Sequence, residues 1–516
     1  MQVENREEKY VKNRWIVENS IEKRKYQEEI ASIASKINTL CVLPTAMGKT
    51  IIALLTVTKV LDREMNKNIL FLAPTRPLVE QHKKTFEKFL KAGLNLVAIT
   101  GKIKSEKRRE LYNFGDIIFS TPQCIKNDIN SGILSLENFS LLIVDEAQHS
   151  IGNYAYTFIA SRFMEDTKQK GIILALTASP SGKYSKIKEI KENLFIKHVE
   201  IRSEYDKDIK EFIKPIEIKW VEVSLTPEME EMKSILEEMR KNNIQRLINL
   251  GFLTKSSIKR KDLLSLQEEI LKKMKEENNK ILFAALSIIA EIIKIDYLIE
   301  LLETQTIESL KEYVKKIFEN AKIKKRGADS RIAKSFMGII EKIEKIKTHP
   351  KIEKLKEIVS EELKNPKARI IIFAQFRSTV KTIKNEIEKI PGCKPVILIG
   401  QRGADGLKQK EQIELIKAYE SGEYNTLVTT SIGEEGIHLG SATTAIFYEP
   451  VPSEIRMIQR RGRVGREVPG KIFILITKNT RDQSYYWAAY HKEKRMKKII
   501  ERMKRQRDLV NFLNEV

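Results

Sequence analysis

The segment from Thr39 to Leu61, TLCVLPTAMGKTIIALLTVTKVL, restricts the possible folds more than any other stretch of the chain. Its apolar run Leu40-Cys41-Val42-Leu43 reads as a buried strand, and Ile51 to Leu61 reads as a helix. Pro44, Thr45, Ala46, Met47, Gly48, Lys49 and Thr50 turn the corner between them. A strand, a tight turn ending in Gly-Lys-Thr and a helix make a phosphate cradle, because backbone N–H groups at the helix N-terminus point at the phosphates. Lys49 would reach the β- and γ-phosphates of a nucleotide, and the Thr50 hydroxyl would bind Mg²⁺. Two positions depart from the pattern. Leu43 stands five before Gly48, where glycine is usual, and Ala46 replaces a second glycine. A chance Gly-Lys-Thr in an ordinary loop would carry the same letters, so the rest of the chain has to decide.

Downstream, short apolar strands alternate with helical segments, and each strand ends in a polar motif. Asn68 to Leu72 leads into Ala73-Pro74-Thr75-Arg76-Pro77, and Leu94 to Thr100 ends at Gly101. Asp116 to Ser120 leads into Thr121-Pro122-Gln123, Leu141 to Val144 into Asp145-Glu146-Ala147-Gln148, and Gly171 to Leu176 into Thr177-Ala178-Ser179-Pro180. This alternation predicts a parallel sheet with helices on both faces, whose ligands lie beyond the carboxyl ends of the strands. Asp145 at the end of an apolar strand can hold Mg²⁺, and Glu146 can orient an attacking water. Ahead of the loop, Arg24-Lys25-Tyr26-Gln27 could hold an adenine through the Gln27 amide; taken alone, these four residues read as a solvated helix face.

The alternation stops between about Asp206 and Thr226, and from Pro227 to about Thr348 the pattern is almost wholly helical. Two basic clusters lie there, Lys255, Lys259, Arg260, Lys261 and Lys322, Lys324, Lys325, Arg326. They read as phosphate contacts or as solvated helix ends. Alternation resumes at Ala368, with Gln375, Gly400 and Thr430 at strand ends, and closes on Gln459-Arg460-Arg461-Gly462-Arg463-Val464-Gly465-Arg466. A glycine-spaced row of arginines has little packing value. It makes sense where guanidinium groups reach phosphates held by another domain, so Arg463 and Arg466 are candidate arginine fingers for the phosphate at Lys49. The tail from His491 to Arg507 reads as a basic helix.

The 516 residues exceed one ordinary core, and the formal net charge of +23 suits a polyanionic partner. Three cysteines far apart argue against a zinc ribbon, a disulfide scaffold or an iron–sulfur cluster. The polar N-terminus carries no signal-peptide pattern, and the apolar run Ile281 to Ala290 is too short to span a bilayer. A soluble, cytoplasmic and nucleoid-associated protein with no membrane partner is expected.

The ordered set Arg24/Tyr26/Gln27, PTAMGKT, APTRPLVEQH, TPQ, DEAQ, LTASP, TTSIGEEGIHLG and QRRGRVGR resembles the superfamily 2 helicases over nearly the whole chain. GNYAYTFIA (152–160), RSEYDKDI (202–209), FYEPVPSEIRMIQRRGR (447–463) and TRDQSYYW (480–487) are similar to the archaeal Hef and Fanconi-anaemia M-type branched-DNA translocases. The resemblance implies an α/β fold of two RecA-like parallel-sheet domains, at 1–205 and 349–490, around an all-helical insert at 227–348. A connector at 206–226 and a basic helix at 491–516 complete the division. It implies ATP hydrolysis that drives motion on forked or branched DNA and on single-stranded DNA in replication-fork repair, and a nuclease or sliding clamp as partner. A nuclease domain is not expected within this chain. The implied catalytic set is Lys49, Asp145, Glu146, Gln459, Arg463 and Arg466. ATP would be held by Arg24, Gln27 and residues Pro44, Thr45, Ala46, Met47, Gly48, Lys49 and Thr50, and Mg²⁺ by Thr50 and Asp145. The strand-binding face would comprise Pro74, Thr75, Arg76, Gly101, Thr121, Pro122, Gln375, Gly400 and Thr430, and charge on the insert adds Lys259, Arg260, Lys324 and Lys325. Three residues depart from the family: Ala46 for a loop glycine, Gln148 for a histidine and His438 for an aspartate, so slower hydrolysis is expected. The alternatives are a duplex-RNA-dependent ATPase of the Dicer and RIG-like type and a nucleic-acid clamp that does not hydrolyse.

Overall fold

The structure, a computed structural model, describes residues 9–181, 183–204, 206–276, 279–324, 327–337, 340–401, 406–430, 442–464 and 469–515. In the first domain seven parallel strands form one sheet: β1 Thr39–Val42, β2 Asn68–Leu72, β3 Leu96–Ile99, β4 Ile117–Ser120, β5 Phe139–Val144, β6 Ile172–Thr177 and β7 His198–Ile201. Their order is β3-β4-β2-β5-β6-β1-β7. Every residue of β1, β4 and β5 is buried, as expected for strands covered by helices on both faces. The order matters for chemistry. β1, β6 and β5 are neighbours, with Val42 paired to Thr177 and Val144 to Ala175, so the loops after all three open at one edge.

The second sheet has six parallel strands: β8 Ile216–Val223, β9 Ile370–Phe373, β10 Pro395–Leu398, β11 Thr426–Thr429, β12 Thr444–Phe447 and β13 Gly470–Thr477, in the order β10-β11-β9-β12-β13-β8. The segment expected as a connector therefore contains an edge strand. β8 pairs with β13 over eight residues, from Ile216–Gly470 to Val223–Thr477. Its sequence IEIKWVEV leaves one long side open to solvent, so it lacks the continuous apolar run that marks the inner strands. The second domain is thus discontinuous in sequence, with the helical insert emerging between β8 and β9.

Pro227 opens the insert's first helix, Pro227–Asn249, which Thr226 caps by accepting from the Met229 N–H. It packs along the apolar helix Lys280–Thr304, and their leucines and isoleucines fill one cluster near the second domain and another further out. The root of the insert is bolted to that domain by polar contacts. Ser309 Oγ donates to Ser378 Oγ at 2.8 Å, Thr379 Oγ1 donates to Gln305 Oε1 at 2.8 Å, and Arg481 reaches Asp296 at 3.1 Å. Lys351 has no exposed side-chain surface, donates to the Thr304 carbonyl at 3.2 Å and forms an ion pair with the equally buried Asp482. Asp482 opens the helix Arg481–Glu515, which begins ten residues before the expected basic tail. That helix crosses to the first domain. There Lys497 meets Glu204 at 2.7 Å, Lys504 pairs with Asp206, and Ile500 and Met503 pack against the apolar cluster. No helix among the described residues is long and apolar enough to cross a membrane.

The buried pair yields a stability prediction. Asp482→Ala strands the Lys351 ammonium without its counter-charge and is expected to cost about 3–5 kcal/mol, read as a lower urea midpoint. Lys351→Met with Asp482→Leu is expected to recover most of that loss. A silent single variant would remove the pair from the structure's support.

Candidate active site

The phosphate loop is shaped by two left-handed residues. Gly48, at φ 75°, caps the helix Lys49–Leu61, and Ala46 sits at φ 65°. Glycine adopts this conformation freely, whereas for alanine it is strained by about 1 kcal/mol or more. The alanine departure therefore keeps the loop's shape at an energetic cost. Lys49 Nζ spans the loop and donates to the carbonyls of Leu43 at 3.3 Å and Pro44 at 3.5 Å. From below, Tyr26 Oη donates to the Met47 carbonyl at 2.9 Å and Gln27 Nε2 to the same oxygen at 3.2 Å. A Cβ at Gly48 would collide with the Gln27 amide. Gln27, expected to hold adenine, thus spends its N–H on shaping the loop, and it is buried rather than part of a solvated face. Arg24 lies at the rim, its guanidinium 4.3 Å from the Phe212 ring centre.

Asp145 and Glu146 follow β5 beside the loop. His82, on the helix Arg76–Phe89, sits between the expected metal ligands: Nε2 faces Asp145 Oδ2 at 2.8 Å and Nδ1 faces Thr50 Oγ1 at 3.4 Å. Burial alone would raise the Asp145 carboxyl, but the His82 hydrogen bond and the Lys49 charge hold it below its ordinary value. An ionised carboxylate and a hydroxyl are hard oxygen donors that fit Mg²⁺. Among the described residues no cluster of three or more His, Cys, Asp or Glu could cage a metal. Glu146 is itself left-handed, at φ 50°, and its carboxylate accepts from Gln148 Nε2 at 2.7 Å. Gln148 Oε1 in turn accepts from Thr177 Oγ1 at 2.7 Å. The glutamine that replaces histidine therefore ties the ends of β5 and β6 together through one amide.

The second domain approaches through the helix Glu454–Arg461 and the turn after it. Arg460 corrects the reading of this string as a row without packing value. It is fully buried, donates from Nη1 to the Glu449 carbonyl at 3.1 Å, and lies over the Phe373 and Phe447 rings at 5.3 and 5.4 Å. Arg461 is bound to Glu493 of the C-terminal helix by contacts of 2.8 and 2.9 Å. Gln459 is buried, and Arg463 is half-buried. Gly462 touches the phosphate loop itself: a Cβ there would lie 2.7 Å from Thr45 Oγ1 and 2.8 Å from its Cβ and Cγ2. Arg466 and His438 lie outside the described residues.

Both domains present the same edge motif. Arg76 opens the helix after β2 and its Nη2 lies close to Gly101; Arg377 opens the helix after β9 and its Nη2 donates to the Gly400 carbonyl at 2.7 Å. Pro74 and Thr75, Thr121 and Pro122, Gln375 and Thr430 follow β2, β4, β9 and β11 on these edges. On the insert, Lys259 is exposed, and Arg260 pairs with Glu300 at 3.5 Å. Lys324 ends the helix Ile307–Lys324, while its side chain and Lys325 lie outside the described residues. Sequence reasoning missed His82 and Glu493. A histidine on an apolar helix face reads as core, and nothing near Glu493 signals a partner at Arg461.

Comparison with known proteins matches residues 24–187 to the DEAD/DEAH box helicase family and 350–467 to the helicase conserved C-terminal domain. Residues 228–349 match the family described as "Putative ATP-dependent RNA helicase, helical bundle". A Methanocaldococcus jannaschii protein named as that same kind of RNA helicase is 38% identical over 500 residues, covering 96% of this chain and 63% of its own. The ATP-dependent DNA helicase fml1 of Schizosaccharomyces pombe is 31% identical, covering 91% of this chain and 59% of its own. The chain thus spans roughly three fifths of these relatives. The crystal structure of the Pyrococcus furiosus Hef helicase domain aligns with a TM-score of 0.68 and 39% identity, over 90% of this chain and 98% of that one.

Lys49→Ala is expected to remove nearly all nucleotide hydrolysis, since a preorganised site loses its fixed cation. Glu146→Gln is expected to keep nucleotide binding and stop turnover. Arg466→Ala is expected to lower turnover by about 10³-fold with little loss of nucleotide affinity. Steady-state hydrolysis and equilibrium nucleotide binding check all three.

Proposed function

The chain belongs to the superfamily 2 helicases of the Hef and Fanconi-anaemia M type, and on that premise we propose that it hydrolyses ATP with Mg²⁺ to move along forked or branched DNA. The triphosphate lies in the phosphate loop, where Lys49 exchanges the Leu43 and Pro44 carbonyls for phosphate oxygens. Thr50 and Asp145 would hold Mg²⁺, which when bound would neutralise phosphate charge. Glu146, kept in place by Gln148, orients the attacking water. Arg463 and Arg466 meet the γ-phosphate from the second domain, so binding ATP draws the domains together and hydrolysis releases them. The Arg76–Gly101 and Arg377–Gly400 edges then take turns gripping a strand, which converts that cycle into steps.

The observation that carries this reading is the insert's anchorage. Backbone tracking by two motor domains holds no information about junctions. A preference for forks needs an added surface held at a fixed position, and the insert's root is bonded to the helix that follows Gln375. Its exposed Lys255, Lys259 and Lys261 supply charge for a second arm of DNA. A second reading, duplex RNA as the substrate, draws support from the RNA helicase description that matches the insert.

ATPase rates with single-stranded, duplex, forked and four-way DNA and with duplex RNA separate the two. Forked DNA is expected to stimulate most; stimulation by duplex RNA alone would establish the second reading. Reversing Lys255, Lys259, Arg260 and Lys261 to glutamate is expected to weaken fork binding about tenfold at low salt and single-strand binding less. It is also expected to flatten the salt dependence of fork affinity. Equal losses on both would make the insert a spacer.

A further inference from the structure

Trp220 and Trp487, two of the chain's three tryptophans, stand on one patch of the second domain with 57% and 52% of their surface exposed. Trp220 comes from the edge strand β8 and Trp487 from the C-terminal helix. Tyr486 joins them, its ring centre 5.9 Å from Trp220 and 5.3 Å from Trp487. Tyr490 meets Trp487 edge-on at 5.6 Å, and His491 stacks on Trp487 at 6.0 Å with 29° between the planes. Aromatic surface left in water at this scale marks a surface that binds. None of these rings belongs to the nucleotide cleft or to the strand-end motifs.

The helix indicates what binds. Positions 487, 491, 494, 498 and 502 follow one another on a single helical stripe, and all are exposed. Trp487 and His491 head this stripe, and Lys494, Lys498 and Arg502 continue it, with Arg495 alongside. None of these four cations sits in an ion pair among the described residues, whereas Lys497 and Lys504 are bound to Glu204 and Asp206. The stripe runs for about 22 Å, from the helical rise of 1.5 Å per residue. Flat rings followed by unpaired cations match a single-stranded nucleic acid, whose bases stack on aromatic faces while its phosphates meet the charges. A duplex hides its base faces, and an acidic segment without rings would leave the tryptophans uncovered. Trp487 also borders a cavity of about 810 Å³ at the insert's root, where Lys233, Arg240 and Arg481 are paired with Glu303 and Asp296.

We propose that Trp220, Trp487 and Tyr490, continued by Lys494, Lys498 and Arg502, form an auxiliary site for single-stranded nucleic acid. The site holds a strand that the two motor domains do not grip, beside the insert. It rests on the reading of this chain as a nucleic-acid motor, so the test keeps the two apart.

The tryptophans supply the readout. Titrating the full chain with oligothymidylate is expected to quench tryptophan emission saturably, with Trp15 in the first domain as an unquenched background. Trp487→Ala is expected to weaken this binding about tenfold or more, Trp487→Phe to restore it, and Lys494→Glu with Lys498→Glu to flatten its salt dependence. Arg76→Ala with Arg377→Ala is expected to abolish stimulated ATPase and leave the quench. Heparin, a polyanion without bases, is expected not to quench. An unquenched wild type whose ATPase responds to oligothymidylate would overturn the site, leave the motor reading standing and make the patch a protein-docking face. Loss of the quench in the Arg76/Arg377 variant, or equal quenching by heparin, would also overturn it. A quench with no nucleic-acid stimulation of ATPase would support the site and retire the motor reading.

Discussion

Gly462 lying against Thr45 is the contact on which the rest of the arrangement depends. A phosphoryl group in transfer spreads its charge over several oxygens, and one loop cannot reach all of them. On the proposed reading the first domain supplies Lys49 and the helix N-terminus, and the opposing cations have to arrive from the second. They arrive only if the Gly462 backbone lies close against the Thr45 side chain, where there is no room for even one methyl group. The residue's φ of −66° is ordinary, so its glycine is explained by space and not by backbone conformation.

Two other features hold that contact in place. On the second-domain side, the buried Arg460 fixes the arginine helix to the core over the Phe373 and Phe447 rings, so the turn at Gly462 starts from a buried base. Across the cleft, Arg461 holds Glu493, and Lys497, one turn further on, holds Glu204 of the first domain. The C-terminal helix therefore runs as a strap over both domains. Its first turn, through Asp482 and Lys351, is tied to the end of the insert as well. One helix therefore contacts the cleft, the first domain and the insert's root, through partly exposed ion pairs at Glu493 and Lys497 and the buried pair Lys351–Asp482.

Much of this was legible in the sequence, for a physical reason. Phosphate, metal and water chemistry admit few residue types, and a parallel sheet places them at strand ends, so the sequence singles out Lys49, Thr50, Asp145 and Glu146, and the structure brings Thr50 and Asp145 together around His82. What stayed hidden was held by tertiary packing. β8 has an open side and no apolar run, and so passed for a connector. Arg460 looks like its neighbours in the string but is fully buried, bonded to the Glu449 carbonyl and set against two phenylalanine rings. His82 carries no local signal, because its partners Thr50 and Asp145 come from other segments of the chain. Gln27 read as an adenine contact or as part of a solvated face, whereas its amide N–H is bonded to the Met47 carbonyl of the loop, which no spacing rule anticipates.

On the proposed reading the active site is complete only where the two domains touch. Gly462→Val tests it most directly, because the change lies outside the nucleotide-holding loop yet wedges the domains apart. ATP affinity is expected within a few-fold of wild type and turnover lower by about 100-fold or more, the size of effect that an ångström of misplacement produces. Unchanged turnover, or affinity and turnover falling together, would contradict it.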